Sequence, residues 1–251
     1  MNPVTLGALL LGAIVGSFLN VVVARLPRKA SLITPTSRCL ACETPIRWFD
    51  NIPLLSFLWL KGRCRACGSP IGWRYPVVEG VTALLFVLSV QRFGLTPALI
   101  PVMLFLSALV AITAIDLEHQ LIPDRITLPG IAVGFAASWV VPQPSWLDAS
   151  IGILLGGGIF LVIILVSGGG MGGGDMKLGA MMGAFLGWKV TLLALLLAVV
   201  LGGTVAVVLL LTGVRGRKDP VPFGPFLAVG SLVGLFWGEN LLSWYFRAFG
   251  A

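Results

Sequence analysis

Apolar residues run along this chain in long continuous stretches rather than at alternate positions, and the polar residues gather between them. Eight such stretches can be drawn, at residues 4–26, 76–90, 97–115, 126–141, 149–167, 176–187, 189–212 and 223–246. A bilayer core of about 30 Å needs a helix of about 20 apolar residues, whereas a membrane barrel is written in alternating segments of about 10. The pattern predicts an all-α polytopic integral membrane protein of about eight transmembrane helices. The shortest stretch, 176–187, reads as a half-helix, or as part of a single span over 176–212. The long polar interval at 27–75 predicts a small extramembrane loop domain, marginal for a core of its own and in need of a staple. No internal repeat stands out along the chain.

Composition agrees: 57% of the 251 residues are hydrophobic and only 11% charged, against about 25% charged in soluble domains. The 32 glycines suit helices packed closely through small residues. The net charge of +7 raises the question of nucleic acid, and the distribution of the charges answers it. With the N-terminus outside, 14 of the 17 Lys and Arg fall inside: Arg25 and the loops 27–75, 116–125, 168–177 and 213–222. Arg92, Lys189 and Arg247 remain outside. That bias is the positive-inside rule, and it accounts for the basic balance without a nucleic-acid partner. A single span over 176–212 would instead put Arg215, Arg217 and Lys218 outside. Arg25, Arg28 and Lys29 follow the first stretch and no basic residue precedes it, the reverse of a signal peptide, so it reads as a retained helix.

Trp48, Trp59, Trp73, Trp188 and Trp244 lie in the loop or near helix ends, where aromatic belts form. Asn20 reads as an interhelical hydrogen-bonding residue, His119 as a surface residue, and Glu79 with Arg74 as a pair.

Two constellations carry chemistry. Cys39 and Cys42, then Cys64 and Cys67 after 21 intervening residues, follow the spacing by which two C-x2-C turns offer four thiolates to one tetrahedral zinc. Two disulfides are the alternative, disfavoured in a reducing compartment. Four thiolates leave no coordination position open, so this zinc is structural. The second constellation is a pair of carboxylates. Asp175 stands between two apolar stretches in the run Gly168-Gly-Gly-Met-Gly-Gly-Gly-Asp-Met-Lys177, and Asp116 closes the earlier stretch 97–115. An ionisable group at a membrane edge is a functional candidate by default. Both fall at the inner face. Two neighbouring carboxylates hold one proton between them, one serving as base for a water and the other as acid, which is aspartyl proteolysis. His119 is the only histidine, so triad and H-e-x-x-H chemistries lack their parts. Asp124 is a reserve for the first carboxylate, or an N-cap of the helix that follows. Carboxylates beside a Gly-rich break also suit a cation- or proton-coupled transporter, and a membrane scaffold with a zinc ribbon is a further reading.

Together these motifs resemble the type IV prepilin leader peptidase and N-methyltransferase family of GxGD-type membrane aspartyl proteases. The resemblance runs nearly end to end. Gly16-Ser-Phe-Leu-Asn20 with Arg25-Leu-Pro27 is similar to the family's first helix, and Asp50-Asn-Ile-Pro53 with the Cys pairs to its cytoplasmic zinc loop. Arg74-Tyr-Pro76 and Glu79 follow. Asp116 with His119 to Asp124 resembles the first catalytic segment, Gly172, Gly173, Gly174 and Asp175 with Lys177 the GxGD motif, and Pro222-Phe-Gly-Pro225 the last-helix motif. Gly173 stands where an aromatic is common, and Leu40 where proline is. The resemblance implies three parts: a first transmembrane helix at 1–26, a cytoplasmic zinc-binding loop at 27–75 and a transmembrane peptidase core at 76–251. It implies an enzyme of the bacterial inner membrane with Asp116 and Asp175 catalytic at the cytoplasmic face. Its substrates would be type IV prepilins or type II secretion pseudopilins, cut after the glycine that ends a basic leader. S-adenosylmethionine would then methylate the new N-terminus, although no Rossmann-like glycine motif places that donor. Glu43, Asp50 and Glu79 are the acidic residues available to meet the leader.

Overall fold

The computed structural model describes residues 2–34, 36–168, 172–214, 216 and 221–250. The cluster Arg215, Arg217 and Lys218 lies outside the described residues, as do Gly169, Gly170 and Met171. Among the described residues the α-helices run in the order α1 Pro3–Arg25, α2 Leu55–Trp59, α3 Arg74–Phe93, α4 Leu99–His119, α5 Asp124–Ala137, α6 Trp146–Val166, α7 Gly173–Leu211 and α8 Gly224–Phe249. Among the described residues there is no strand, only two isolated bridges in the loop.

The helices do not confirm the eight spans expected. Among the described residues six, α1, α3, α4, α6, α7 and α8, are long and apolar enough to cross a membrane. The stretch at 126–141 folds as α5, whose 14 residues extend about 21 Å, short of a bilayer core. The stretches at 176–187 and 189–212 form the two helical parts of α7, which meet at Gly187, whose φ of 70° and ψ of 170° are not helical. A side chain does not readily adopt that conformation, so the break falls on a glycine.

The chain divides into two compact units, Met1–Ile115 and Asp116–Ala251. In the first, α1 packs on α3 through a Gly12 and Gly16 face. A Cβ on Gly12 would lie 2.6 Å from the Ala83 Cα, and one on Gly16 2.7 Å from the Glu79 Cα. Asn20 donates from Nδ2 to the Tyr75 carbonyl, 3.1 Å, the interhelical bond expected of it.

In the second unit α7 is central and packs against α5, α6 and α8. Leu178, Met181, Met182, Ala184, Ala194 and Ala198 of α7 are buried. The α6 contact sets Gly152 and Gly156 against Gly179 and Gly183, and a Cβ on Gly152 would lie 2.5 Å from the Gly183 carbonyl oxygen. Without a hydrophobic drive between helices in lipid, such close backbone approach is what holds them together. Large apolar side chains such as Leu154, Leu165, Val166 and Leu196 point outward, as a lipid-facing exterior requires.

Candidate functional site

Residues 38–48 and 63–73 are two copies of one pattern, Arg-Cys-x-Ala-Cys-x-Thr/Ser-Pro-Ile-x-Trp, identical at seven of eleven positions. The expectation that the chain holds no repeat is therefore corrected. The unit is far shorter than a solenoid repeat, and its sense is local. In each copy the N–H of the first Cys bonds five residues ahead (Cys39 to the Thr44 carbonyl, 3.0 Å; Cys64 to the Ser69 carbonyl, 2.8 Å). The N–H of the residue after the second Cys returns to the first (Glu43 to the Cys39 carbonyl and Gly68 to the Cys64 carbonyl, both 2.9 Å). That residue has positive φ in both, 55° at Glu43 and 72° at Gly68. Two like turns thus present two thiols each.

The four sulfurs lie within 4.8 Å of one another, and Cys39 Sγ is 3.9 Å from Cys67 Sγ. A tetrahedral zinc with bonds of about 2.3 Å separates its sulfurs by about 3.8 Å, so the donor set fits that ion. All four cysteines are free, which sets aside the disulfide alternative in this structure. Hydrogen bonds from the N–H groups of Cys42 and then Ala41 bring the Cys39 thiol down to about 6, toward the thiolate that a metal needs. Asp50 ties the 3-10 turn Trp48–Asn51 to the second Cys turn. Arg65 donates to both of its oxygens at 2.6 to 3.0 Å and holds the carboxyl below its ordinary range.

Of the acids considered for the leader, Asp50 is thus committed to Arg65. Glu79 is buried and accepts the Leu54 N–H at 2.8 Å and the Ser17 hydroxyl, while the Arg74 guanidinium lies over the Tyr75 ring, 5.0 Å from its centroid. Glu43 is exposed.

In the second unit Asp116, 5% exposed, sits in the last turn of α4. Its Oδ2 accepts the N–H of Gly224, the first residue of α8, at 2.9 Å. Asp175 is half-buried in the first turn of α7 and lies within range of the Asp116 charge. Ile122, between α4 and α5, packs where a Gly174 Cβ would stand, 2.8 Å away, whereas a Cβ on Gly173 would meet nothing within 4 Å. One glycine of the motif therefore sets the approach of α7 to the segment after Asp116. Asp124 does not cap α5. Pro123 holds that position, and both Asp124 oxygens take Lys177 Nζ at 2.7 Å. His119 is partly exposed, 3.9 Å from Glu118 Oε2.

The sequence reading gave Gly224 no role of its own. The available signal was a Gly-Pro step opening a helix, where proline at the first turn leaves few N–H groups and glycine leaves room beside them.

Residues 10–93 match the family model described as the bacterial peptidase A24 N-terminal domain, and residues 103–207 match the one described as the type IV leader peptidase family. The chain is similar to proteins named prepilin leader peptidase/N-methyltransferase from several bacteria. It is 36% identical to that of Bacillus subtilis, over 94% of this chain and 95% of the relative. With that of Pseudomonas aeruginosa the identity is 38% over 95% and 92%. With that of Myxococcus xanthus it is 42% over 84% of this chain, and the chain spans 64% of that relative's length. No solved structure matches.

Proposed function

The chain belongs to the type IV leader peptidase family, and from that premise we propose that it is a membrane-embedded aspartic endopeptidase acting on type IV prepilins or type II secretion pseudopilins. It cuts after the glycine that ends the basic leader, at the cytoplasmic face of the bacterial inner membrane. It then methylates the new N-terminal amine with S-adenosylmethionine as donor, the second activity named in its relatives. The observation that carries the reading is that Asp116 and Asp175, from the ends of two apolar helices, lie in one compact unit within range of each other's charge.

The chemistry follows from that placement. Two carboxylates that feel each other's charge do not both ionise readily, so one takes a proton from water while the other gives one to the scissile carbonyl oxygen. Gly172, Gly173 and Gly174 add no side chain beside Asp175, which leaves main chain to line the groove for the substrate. Asp124, exposed and held by Lys177, is the reserve for the first carboxylate. Cys39, Cys42, Cys64 and Cys67 hold one structural zinc that folds the loop at 27–75 ahead of the core at 76–251. Counting α5 and the two parts of α7 as separate crossings gives eight, with the N-terminus outside and both aspartates at the cytoplasmic side.

The test is to incubate the purified enzyme with a prepilin and methyl-labelled S-adenosylmethionine, reading the products by mass. The expected products are a leader ending in glycine and a labelled mature N-terminus. Cleavage without label removes the second activity, and an intact prepilin removes the peptidase.

A further inference from the structure

We propose that Gly224 is a positioning residue of the peptidase, whose N–H holds Asp116 as the carboxylate and thereby makes Asp116 the base and Asp175 the acid. The inference rests on the dyad reading above and adds to it the direction in which the proton moves.

The run Pro222-Phe-Gly-Pro225 opens α8. Pro225 has no N–H, and the N–H groups of Phe226 and Leu227 turn back to the Phe223 carbonyl at 3.0 and 3.2 Å. The Gly224 N–H goes instead to Asp116 Oδ2, a buried bond across 108 residues of sequence. A donor at a helix N-terminus favours an anion. Only glycine permits this approach, since a Cβ at 224 would stand 2.7 Å from Oδ2 and 3.2 Å from Cγ of Asp116. The turn is also held in place. The Phe223 ring lies 6.2 Å from those of Phe160 and Phe226, and the space beside Gly202 seats Phe223 and Phe226.

The titratable group facing Asp116 from α7 is Asp175. Asp124 of α5 and Lys177 of α7 bind each other, and Glu118 and His119 on α4 itself are partly exposed. With a fixed donor on Asp116, repulsion between like charges leaves the shared proton on Asp175. Hydrolysis then balances. Asp116 takes a proton from water as the water oxygen bonds to the scissile carbon, and Asp175 gives its proton to the carbonyl oxygen. The resulting diol collapses as Asp116 passes its proton to the amide nitrogen, the C–N bond breaks, and a diol proton returns to Asp175.

The experiment replaces residue 224 with glycolic acid by nonsense suppression, exchanging the N–H for an ester oxygen without adding a side chain. Prepilin cleavage is measured across pH beside wild type, Asp116→Asn and Asp175→Asn, with thermal melting in detergent as the check on folding. The ester chain is expected to melt like wild type, with the acid limb of its pH–rate profile about one to two pH units higher. Gly224→Ala should shift the same limb, and Gly203→Ala, whose Cβ would meet nothing within 4 Å, should leave it in place. An unmoved limb in the ester chain overturns the inference while inactive Asp→Asn variants keep the dyad. Cleavage by Asp116→Asn overturns the dyad itself, and the inference with it.

Discussion

Gly173 and Gly174 are adjacent, share a side chain of one hydrogen, and have opposite surroundings. A methyl on Gly173 enters open space, and a methyl on Gly174 enters Ile122. Gly173→Ala is therefore expected to slow prepilin cleavage far less than Gly174→Ala. Gly174→Ala pushes the first turn of α7 away from the segment after Asp116, and misplacement of about 1 Å at reacting groups costs about 100-fold in rate. Equal effects in the two variants contradict this account. Asp124 and Lys177 make a different case, since their side chains are 55% and 30% exposed and exposed ion pairs contribute about 1 kcal/mol or less. Asp124→Asn is expected to lower cleavage by less than about fivefold. A loss as complete as that of Asp116→Asn would move the base to Asp124. At this scale the cysteines and the two aspartates were legible, because spacing and a charge at the end of an apolar run are local signals. Gly224 was not, because its partner lies 108 residues away and its importance is a missing side chain.

Among the elements, the paired Cys turns test the proposed zinc, and one ion pair joins the second of them to the turn at Trp48–Asn51. Removal of zinc by a chelator is expected to open residues 27–75 to protease while α1 and α3 stay resistant, because bound metal supplies the folding energy that so small a segment lacks. A fully active preparation without zinc contradicts the assignment. The Asp50–Arg65 pair adds a pH dependence. Arg65 lowers the Asp50 carboxyl from its ordinary value of 3.8, so the stabilisation is present above that value and is lost as the pH falls through the lower, folded one. Arg65→Gln should therefore make the loop easier to digest at pH 6, and the difference from wild type should narrow as the pH falls below 3.8. The eleven-residue repeat was legible in the sequence and hidden by its shortness. It became plain once both copies showed the same bonds and the same positive φ. The break in α7 was legible, because a boundary near Gly187 followed from the apolar pattern, and the structure places non-helical backbone at that glycine.

For the whole molecule, the apolar stretches predicted the helices well and the number of crossings less well. Hydropathy reports which segments avoid water, not whether 14 residues of α5 reach both faces or whether a helix bent at Gly187 crosses once or as two parts. Of the two units, the first holds the cluster of four cysteines and the second holds Asp116 and Asp175. Whether Asp116 and Asp175 together cut the substrate is decided by leader removal from a purified prepilin by the solubilised wild type, Asp116→Asn and Asp175→Asn. Cleavage is expected of the wild type alone, with both variants melting as it does and each slowed by at least about 10⁴-fold, as for the loss of a member of a catalytic set. Leader removal by either variant at a rate near that of the wild type would contradict it.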